Sequence, residues 1–460
     1  MKIKTVITVL LVSLVLASCT PASTPMPTST ATNTPLPTAT ATVTPEPTIT
    51  FTPEPTTTPV TFIEGLNNVP EPDDDFVVEV VSENYLRVMG LSREQVDLVY
   101  VEHTGIDGET FAVMLDETTG VPLAVYTDKW QKATLKFFGR QVGIVMGTDT
   151  AENPGFAEIE VSKEFERATI VVGNEWFRVE PEQGKIDSSQ TAAAEKLIQL
   201  LKTEAKIHDF IGHPLVWLYP DWLLNGEFTQ DEMRDIMRKR IEYAIRSHPD
   251  IQSWVVVNEP YDLNNPDRQH DPFYRVWGGF SYIQEAFHIA RTTADEMGRT
   301  DVKLIFNDTD NHRANGGTTQ ATREIVQMLI QENLIDYVGM QMHFNQWGGV
   351  TNGIVDTDTI ANEIAYYKNL GIPVLITELT YEPTEAELEM TEKEFNERLS
   401  AIFAQVVRVA IESGNVQQIT FWGLTDKWLE DINWYMIFDK NAQPKQSYYI
   451  VLRTLYEGMK

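Results

Sequence analysis

Two glutamates, Glu259 and Glu378, lie at the ends of apolar segments, where a lone carboxylate is unexpected. Glu259 ends the β-branched run "SWVVVNE", which has the composition of a buried strand, and it stands between Asn258 and Pro260. Glu378 lies in the similar run "PVLITELT". A single glutamate after a strand is more often a solvated or helix-capping residue. Two facing carboxylic acids, however, can cleave a glycosidic bond, one as proton donor and one as ionised nucleophile.

From about Phe137 onward, short apolar runs alternate with longer amphipathic segments. The eight runs are "RQVGIVMG", "ATIVVGN", "DFIGHPLVW", "SWVVVNE", "VKLIFND", "DYVGMQMHF", "PVLITELT" and "QITFWGLTD". Strands that alternate with helices predict a parallel sheet covered by helices, and the number of runs favours a closed (β/α)8 barrel over an open doubly wound sheet. No glycine-rich phosphate-binding motif follows any run, which also argues against a nucleotide-binding fold. In the helical segment after the second run, Ser188 and Ser189 are the expected N-terminal caps.

The ends of these runs predict the position of the active site, because catalytic residues of such barrels lie at the C-terminal ends of the strands. Glu259 ends the fourth run and Glu378 the seventh, so the two carboxylates can face each other across the barrel mouth. A separation of about 5–5.5 Å would allow a retaining, double-displacement mechanism. The polar and aromatic residues expected on the same rim are His213, Trp217, Asn258, Asn307, Asp308, Gln341, His343 and Trp422.

Several segments of the chain resemble known glycosidase motifs. "WVVVNEP" and "ITEL" are similar to the acid/base and nucleophile motifs of the retaining (β/α)8 glycosidases, although "NEP" alone occurs in more than one family. Six further segments resemble, in the same order, those of glycoside hydrolase family 10, the endo-1,4-β-xylanases. They are "FRVEPEQGKID", "GHPLVW", "IFND", "VGMQMHF", "FWGLTDKW" and "IFDKNAQPKQSYY". The resemblance extends from roughly Phe137 to the C-terminus.

The resemblance to family 10 implies a role for each matching residue. Glu259 is expected to be the acid/base and Glu378 the nucleophile, while Asn258 is expected to bind the sugar 2-hydroxyl. Trp422 would form a hydrophobic platform beside this sugar, and either Trp428 or Trp434 would be a second aromatic contact. The residues expected to line the subsite next to the cleavage point are His213, Trp217, Gln341 and His343, of which His343 would also hydrogen-bond Glu378.

The chain departs from the family pattern in two places. After the second run, the family's Glu-Asn pair is replaced by Asn174-Glu175 and its Lys by Arg178. After Trp217, the family's His-Ser-Gln is replaced by residues 218–220, Leu-Tyr-Pro. Asn174 and Arg178 are expected to bind the sugar one subsite further from the cleavage point. The expected substrate is therefore xylan, while a decorated xylan, another β-1,4-glycan or a short xylo-oligosaccharide stays open.

The N-terminal part of the chain predicts where the protein is located rather than what reaction it catalyses. Residues 1–19 read as a signal peptide that ends "LASC", and Cys19, the only cysteine, matches the lipidated cysteine of a bacterial lipoprotein. The alternative is an ordinary secretion signal with an incidental cysteine. Residues 20–61 are a Thr/Pro-rich linker without the means to form a core. Residues 62–136 predict a small β-rich segment of unknown role, and residues 137–460 the catalytic barrel.

The composition limits the class of protein and its partners. Hydrophobic residues make up 42% and charged residues 22% of the chain, as in folded globular proteins. The net charge of −31 argues against a nucleic-acid-binding surface. No cofactor and no metal site are expected, and the protein is expected to be a monomer held at the cell surface only by its lipid.

Two other classes of protein are alternatives to a secreted, surface-anchored xylanase. A non-hydrolytic glycan-binding barrel would be free to lose one of the two glutamates, and this chain has both. A solute-binding lipoprotein of a transporter would need two open α/β lobes, which eight regular strand–helix units do not predict.

Overall fold

The computed structural model describes residues 98–104, 110–116, 122–127, 135, 142–146, 161–261, 271–345, 350–351, 354–426 and 435–457. The chain divides into two units, Met1–Thr61 and Phe62–Lys460, and every described residue belongs to the second. The predicted signal peptide, lipidated cysteine and Thr/Pro linker lie outside the described residues, so these predictions stay open.

The strands form one closed barrel and two small sheets. Their bounds are β1 Leu98–Thr104, β2 Thr110–Asp116, β3 Pro122–Thr127, β4 Val142–Met146, β5 Arg167–Ile170, β6 Asp209–Gly212, β7 Ser253–Asn258, β8 Lys303–Asp308, β9 Tyr337–Met340, β10 His343–Phe344, β11 Val350–Thr351, β12 Ile354–Val355, β13 Val374–Tyr381 and β14 Val416–Phe421. Parallel pairing runs in the order β4-β5-β6-β7-β8-β9-β13-β14 and closes from β14 back to β4. The predicted (β/α)8 barrel is confirmed.

Helices follow the barrel strands and cover the outside of the sheet. Their bounds are α1 Trp176–Val179, α2 Ser188–Leu200, α3 Asp221–Leu224, α4 Gln230–Ser247, α5 Pro272–Trp277, α6 Ser281–Glu296, α7 Thr319–Gln331, α8 Thr357–Asn369, α9 Glu385–Leu388, α10 Glu392–Ser413 and α11 Gln446–Glu457, with a π-helical turn at Leu201–Ala205. The core between sheet and helices is dominated by large apolar side chains such as Trp176, Trp254 and Phe306.

Local sequence signals fix where several helices begin. Thr229 and Glu232 form a reciprocal capping box at the start of α4, and Thr391 and Glu394 form another at the start of α10. The cap of α2 was predicted wrongly: it is Asp187, whose side chain accepts a hydrogen bond from the backbone N–H of the second helical residue. A carboxylate oxygen one position earlier reaches the free amides better than either serine, which are already helical.

Alternation along the strands directs polar side chains into the barrel mouth. Ile211, Val255, Ile305 and Leu375 form a separate apolar cluster of inward-facing residues from four barrel strands. Because side chains alternate along a strand, the residues two positions after Ile305 and Leu375 also point inward, one layer higher. These residues are Asn307 and Thr377, and both are buried.

The opposite end of the barrel is closed by an ion pair. Arg167, the first residue of β5, binds Asp209 at the start of β6 with Nη2 and Oδ2 2.8 Å apart. Arg167 also donates a hydrogen bond to Gln418 of β14. The ion pair joins the neighbouring strands β5 and β6, and the bond to Gln418 reaches across β4 to β14, far from the rim that carries the glutamates.

Outside the barrel, β1, β2 and β3 form an antiparallel sheet within the segment that was predicted to be β-rich. β11 and β12 form a hairpin between β10 and α8. β10 pairs in parallel with the end of β13, which places His343 beside Thr380.

Candidate active site

Glu259 is positioned by a break in the pairing of β7. The register between β7 and β8 shifts between Val255 and Val257, and Glu259 then donates its backbone N–H to the carbonyl oxygen of Asn307 at 3.1 Å. Glu259 has a φ of +44°, in the left-handed region that a non-glycine residue adopts at a cost. The strained backbone turns this carboxylate away from the strand and into the cleft, and Pro260 presents no N–H that needs a strand partner.

Glu378 is held on both oxygens by side-chain donors. Its carboxylate is only 3% exposed, and Oε1 accepts a hydrogen bond from Asn307 Nδ2 at 2.7 Å. Oε2 lies 3.1 Å from His343 Nε2. Its backbone N–H donates to the carbonyl oxygen of Gln341 at 3.1 Å, which fixes the strand position. One oxygen is thus oriented from β8 and the other from β10.

The two glutamates are joined by a continuous chain of hydrogen bonds. Gln341 Nε2 donates to Glu259 Oε1 at 2.7 Å and lies 3.3 Å from Asn258 Oδ1. Asn258 Oδ1 also accepts from Asn307 Nδ2 at 2.7 Å, and the same nitrogen donates to Glu378. The structure therefore brings the predicted residues Glu259, Glu378, Asn258 and Gln341 into one network.

Asn307 is the central member of this network, and the sequence did not assign it a role beyond its place on the rim. Thr377 Oγ1 donates to Asn307 Oδ1 at 2.6 Å, so the orientation of the amide is fixed and Nδ2 faces Asn258 and Glu378. The only sequence signal for this function is a polar residue at the end of the fifth apolar run, which is shared by the neighbouring Asp308. Asp308 instead accepts hydrogen bonds from Thr309 and Thr322 beneath the rim.

Burial gives both carboxyl groups unusual acidities. Burial, reinforced by the negative charge of Glu378, raises the pKa of Glu259 to about 7. Burial likewise raises the pKa of Glu378 to about 7, opposed by the charge of His213 and by the hydrogen bond from Asn307. Since the negative charge of Glu378 raises the pKa of Glu259, the single proton of the charged pair belongs on Glu259.

His343 faces Glu378 as a neutral ring. Burial lowers the pKa of His343 to about 4. Its Nδ1 lies 2.7 Å from Thr380 Oγ1 and its Nε2 3.1 Å from Glu378 Oε2. Both contacts are favourable when the hydroxyl donates to Nδ1 and Nε2–H donates to the carboxylate. A neutral donor stabilises the ionised form of Glu378 without adding a charge to the site.

Aromatic rings enclose the histidines of the rim. The His213 ring lies 6.0 Å from the Trp217 ring and 5.5 Å from the Trp422 ring, both edge-on. Trp422 also meets His343 edge-on at 6.0 Å. Burial lowers the pKa of His213. Trp217 and Trp422 are both partly exposed, so each keeps a surface open to the cleft.

Two buried polar atoms of this site have no hydrogen-bond partner within the described residues: Gln341 Oε1 and His213 Nε2. Buried polar atoms of folded proteins are almost always paired, so unpaired ones need an explanation. Donors and acceptors that converge beside two carboxylates can bind the hydroxyl groups of a sugar.

The segment after β5 carries the other predicted sugar contacts. Asn174 is fully buried and donates from Nδ2 to the carbonyl oxygen of Ile170 at 3.1 Å, which is a bond within its own strand segment. Arg178, on α1, is exposed over about a third of its side chain, and its Nε lies 3.1 Å from Glu175 Oε2. Their predicted contacts with a second sugar stay predictions. Trp428 and Trp434, predicted as alternatives for a second aromatic contact, both lie outside the described residues.

No group of His, Cys, Asp and Glu side chains in the described part of the chain has the arrangement of a metal site. Among the helices that the structure describes, none is long and apolar enough to cross a membrane.

The C-terminal rim of this (β/α)8 barrel carries two glutamates that are joined through a chain of side-chain hydrogen bonds. This arrangement defines the class of barrel glycoside hydrolases. The family model "Glycosyl hydrolase family 10" matches residues 131–454. The chain therefore belongs to glycosyl hydrolase family 10, as the sequence motifs predicted.

Two curated relatives of this chain are named endo-1,4-beta-xylanases. It is 26% identical over 323 residues to endo-1,4-beta-xylanase A of Caldicellulosiruptor saccharolyticus, covering 63% of this chain and 86% of that protein. It is 25% identical over 354 residues to endo-1,4-beta-xylanase B of Thermotoga neapolitana, covering 74% and 93%. The crystal structure of native xylanase 10B from Thermotoga maritima superposes with a TM-score of 0.61 at 22% identity, covering 71% of this chain and 99% of that one. This last likeness concerns the fold.

Proposed function

We propose that the protein is a retaining endo-β-1,4-xylanase in which Glu259 is the acid/base and Glu378 the nucleophile. The observation that carries the proposal is the hydrogen-bond chain from Glu259 through Gln341, Asn258 and Asn307 to Glu378. It joins two buried carboxyl groups with pKa values of about 7 on the rim of a family 10 barrel. Such a pair carries one proton near neutral pH, which is the state that the first step of double displacement requires.

In the first step, the protonated Glu259 donates its proton to the leaving glycosidic oxygen while Glu378 attacks the anomeric carbon. The C–O bond to the leaving group breaks, and a bond between the sugar and Glu378 Oε forms. In the second step, Glu259, now ionised, removes a proton from water, which attacks the same carbon and releases Glu378. Asn258 binds the sugar 2-hydroxyl through its side-chain amide, a contact that strengthens in the transition state.

Two observations support xylan as the substrate. The chain belongs to family 10, and both curated relatives described above are named endo-1,4-beta-xylanases. The residues after β5 and β6 that depart from the family pattern are those expected to bind the glycone part of the substrate. We therefore expect the preferred length or substitution of the xylan chain to differ as well.

The test of this proposal is a reducing-sugar assay of the wild-type protein on xylans, β-glucans and mannans beside the Glu378→Ala variant. We expect hydrolysis of xylan above the other glycans, and a loss of at least about 10⁴-fold in Glu378→Ala because the nucleophile is gone. Glu363→Gln is the matched control, because Glu363 is a fully buried glutamate that pairs with Arg323 between α7 and α8, outside the mouth.

Three outcomes would contradict the proposal. They are activity on no β-glycan, activity that Glu378→Ala leaves unchanged, and tight binding of glycans without any cleavage. The last would identify a non-hydrolytic glycan-binding barrel, and preference for another β-1,4-glycan would replace xylan while keeping the mechanism.

We also infer that Cys19 is lipidated and anchors the enzyme to the outer face of the bacterial membrane. The support is the small-residue sequence before a lone cysteine at the end of a signal-like segment. Incorporation of labelled palmitate by the wild type and its loss in Cys19→Ala are expected. Equal label in both proteins would refute the anchor.

A further inference from the structure

Arg240 of α4 is a buried cation with an unusual set of partners. It is 3% exposed, and the charge of Glu180 stabilises it from a distance without a salt bridge among the described residues. Burial lowers its pKa to about 10, so it is still a cation at neutral pH. A buried charge without a carboxylate partner is costly, and the fold retains such a group only where its hydrogen bonds compensate.

All of the hydrogen bonds that Arg240 donates within the described residues end on backbone carbonyl oxygens. Nε donates to Leu215 at 3.1 Å, Nη2 donates to Pro214 at 3.3 Å, and the same Nη2 donates to Asn174. The guanidinium group also lies 5.6 Å from the ring centroid of Trp176, which supports it from one side.

These carbonyl groups belong to two segments of the barrel rim. The first, residues 171–175, follows β5 and includes Asn174 and Glu175. The second, residues 213–217, follows β6 and runs from His213 to Trp217. The two rim segments are therefore joined through a single nitrogen of Arg240 that binds one carbonyl oxygen from each.

The opposite edge of segment 213–217 is fixed by β7. Leu215 donates its N–H to the carbonyl oxygen of Val255 at 2.9 Å, and Val216 donates to Val256 at 3.0 Å. The amides thus bind β7 while the carbonyl oxygens of Pro214 and Leu215 bind Arg240. Removal of Arg240 would leave three carbonyl groups without this donor. Among the described residues, the two rim segments would then be held together only at their ends, by the bonds from His213 N–H to Ile170 and from Phe177 N–H to Leu218.

We propose that Arg240 is a positioning residue that sets the spacing of the two rim segments and so the affinity for the xylose units bound between them. This proposal rests on the proposed function, since the ligand is the glycone part of a β-1,4-xylo-oligosaccharide. Arg240 acts through the backbone and contacts neither catalytic glutamate. Arg240 donates from two nitrogens, Nε and Nη2, to three carbonyl oxygens, whereas a lysine ammonium has one nitrogen and is expected to keep only part of these bonds.

The test compares 4-nitrophenyl β-xylobioside, which places two sugars on the glycone side, with 4-nitrophenyl β-xyloside, which places one. In Arg240→Met we expect KM for the xylobioside to rise about 10-fold or more with kcat within about 3-fold, because small displacements of binding groups weaken binding. Arg240→Lys should be intermediate. The pH profile should not change, since Glu259 and Glu378 keep their contacts.

Arg167→Met is the matched control, because Arg167 is another largely buried arginine that bonds across strands, but at the opposite end of β5. It should lower the melting temperature and leave KM for both substrates unchanged. If Arg240→Met does not fold, the KM of Arg240→Lys decides the question.

The proposal is overturned if folded Arg240 variants keep the wild-type KM, if kcat falls without a change in KM, or if Arg167→Met raises KM equally. A shifted pH profile in Arg240→Lys would also overturn it, because the residue would then act on the carboxyl groups. A wild-type protein that cleaves neither substrate nor xylan would instead refute the proposed function, and this proposal with it.

Discussion

At the scale of single residues, the chemically identical side chains of Glu259 and Glu378 differ in their surroundings. Glu259 accepts a hydrogen bond from Gln341 and lies beside the negative charge of Glu378, which raises its pKa. Glu378 has donors on both oxygens, from Asn307 and His343. These surroundings favour ionisation of Glu378 before Glu259, as the proposed roles of nucleophile and acid require.

The first prediction concerns the pH dependence of kcat/KM. Activity should rise as Glu378 ionises and fall as Glu259 loses its proton, with an alkaline limb near pH 7 because the pKa of Glu259 is raised to about 7. In Glu259→Gln, hydrolysis of xylan should fall by about 10²–10⁴-fold because the proton donor is gone. With a dinitrophenyl xylobioside, whose leaving group needs no proton, kcat/KM should persist and lose its alkaline limb.

The measurement is kcat/KM from pH 4 to 9 for both proteins on the activated substrate, since this quantity reports the free enzyme and the first bond cleavage. An alkaline limb that persists unchanged in Glu259→Gln would mean that another group is the acid.

At the scale of strands and helices, the sequence located each barrel strand but not its interruptions. The run "PVLITELT" corresponds to β13, whereas "DFIGHPLVW" contains only the short strand β6. Likewise "DYVGMQMHF" divides into β9 and β10, because Met342 adopts a positive φ of 62° between them. Apolar composition signals a strand, while the breaks depend on contacts with neighbouring strands that one segment does not encode.

The same limit applies to the site residues. The sequence predicted Glu259 and Glu378 because a carboxylate in an apolar run is conspicuous. It did not reveal Asn307 as the link between them, because an amide at a strand end is common and its partners come from β7 and β13. The left-handed backbone of Glu259 and the neutral ring of His343 also arise from tertiary contacts and burial.

The second prediction concerns Gly339 of β9, which lies beneath the network. A methyl group at this position would come within 2.2 Å of Asn307 Oδ1 and 3.1 Å of Thr377 Cγ2. In Gly339→Ala we expect the amide of Asn307 to move away from Glu378 and kcat/KM to fall by about 100-fold, although the new methyl group contacts no substrate.

Gly279→Ala is the control for this substitution, because a methyl group there meets no atom within 4 Å and the residue lies in the turn between α5 and α6. It should keep wild-type kinetics. Wild-type activity in Gly339→Ala would show that the position of Asn307 tolerates displacement.

At the scale of the whole molecule, the two ends of the barrel carry different kinds of charged group. The N-terminal end holds compensated charges such as the Arg167–Asp209 pair. The C-terminal rim holds carboxyl groups whose ionisation burial opposes, together with the strained backbone of Glu259. The site that performs the chemistry therefore lowers the stability of the fold that carries it.

The third prediction follows from the raised pKa of Glu378, about 7 in the folded protein against a usual value of 4.5. Below about pH 4.5 the carboxyl group of Glu378 is protonated in both the folded and the unfolded state, so it does not lower the free energy of unfolding. As pH rises toward 7 the unfolded chain ionises first, so the free energy of unfolding falls. Glu378→Gln should remove this loss and stabilise the protein above pH 7 by up to about 3 kcal/mol.

The measurement is thermal or denaturant unfolding at pH 4 and pH 8. The glutamine can still accept from Asn307, and the His343 ring can reverse its donor and acceptor roles through Thr380. Glu387→Gln is the control of opposite sign: burial raises the pKa of Glu387, but hydrogen bonds from Tyr381, Thr384 and Arg398 outweigh this and lower it. It should destabilise the protein at pH 8. A Glu378→Gln variant without a gain at pH 8 would contradict the linkage.

The bond from Gln341 Nε2 to Glu259 Oε1 has a consequence for the order of events in a turnover. An amide donates about twice as strongly to a carboxylate as to a neutral carboxyl group. In the mechanism proposed above, this hydrogen bond is therefore weaker while Glu259 carries its proton and stronger once the proton has left. Gln341 would then hold the Glu259 carboxylate in place through the lifetime of the covalent intermediate. The strength of this one hydrogen bond would thus differ between the two halves of the proposed cycle.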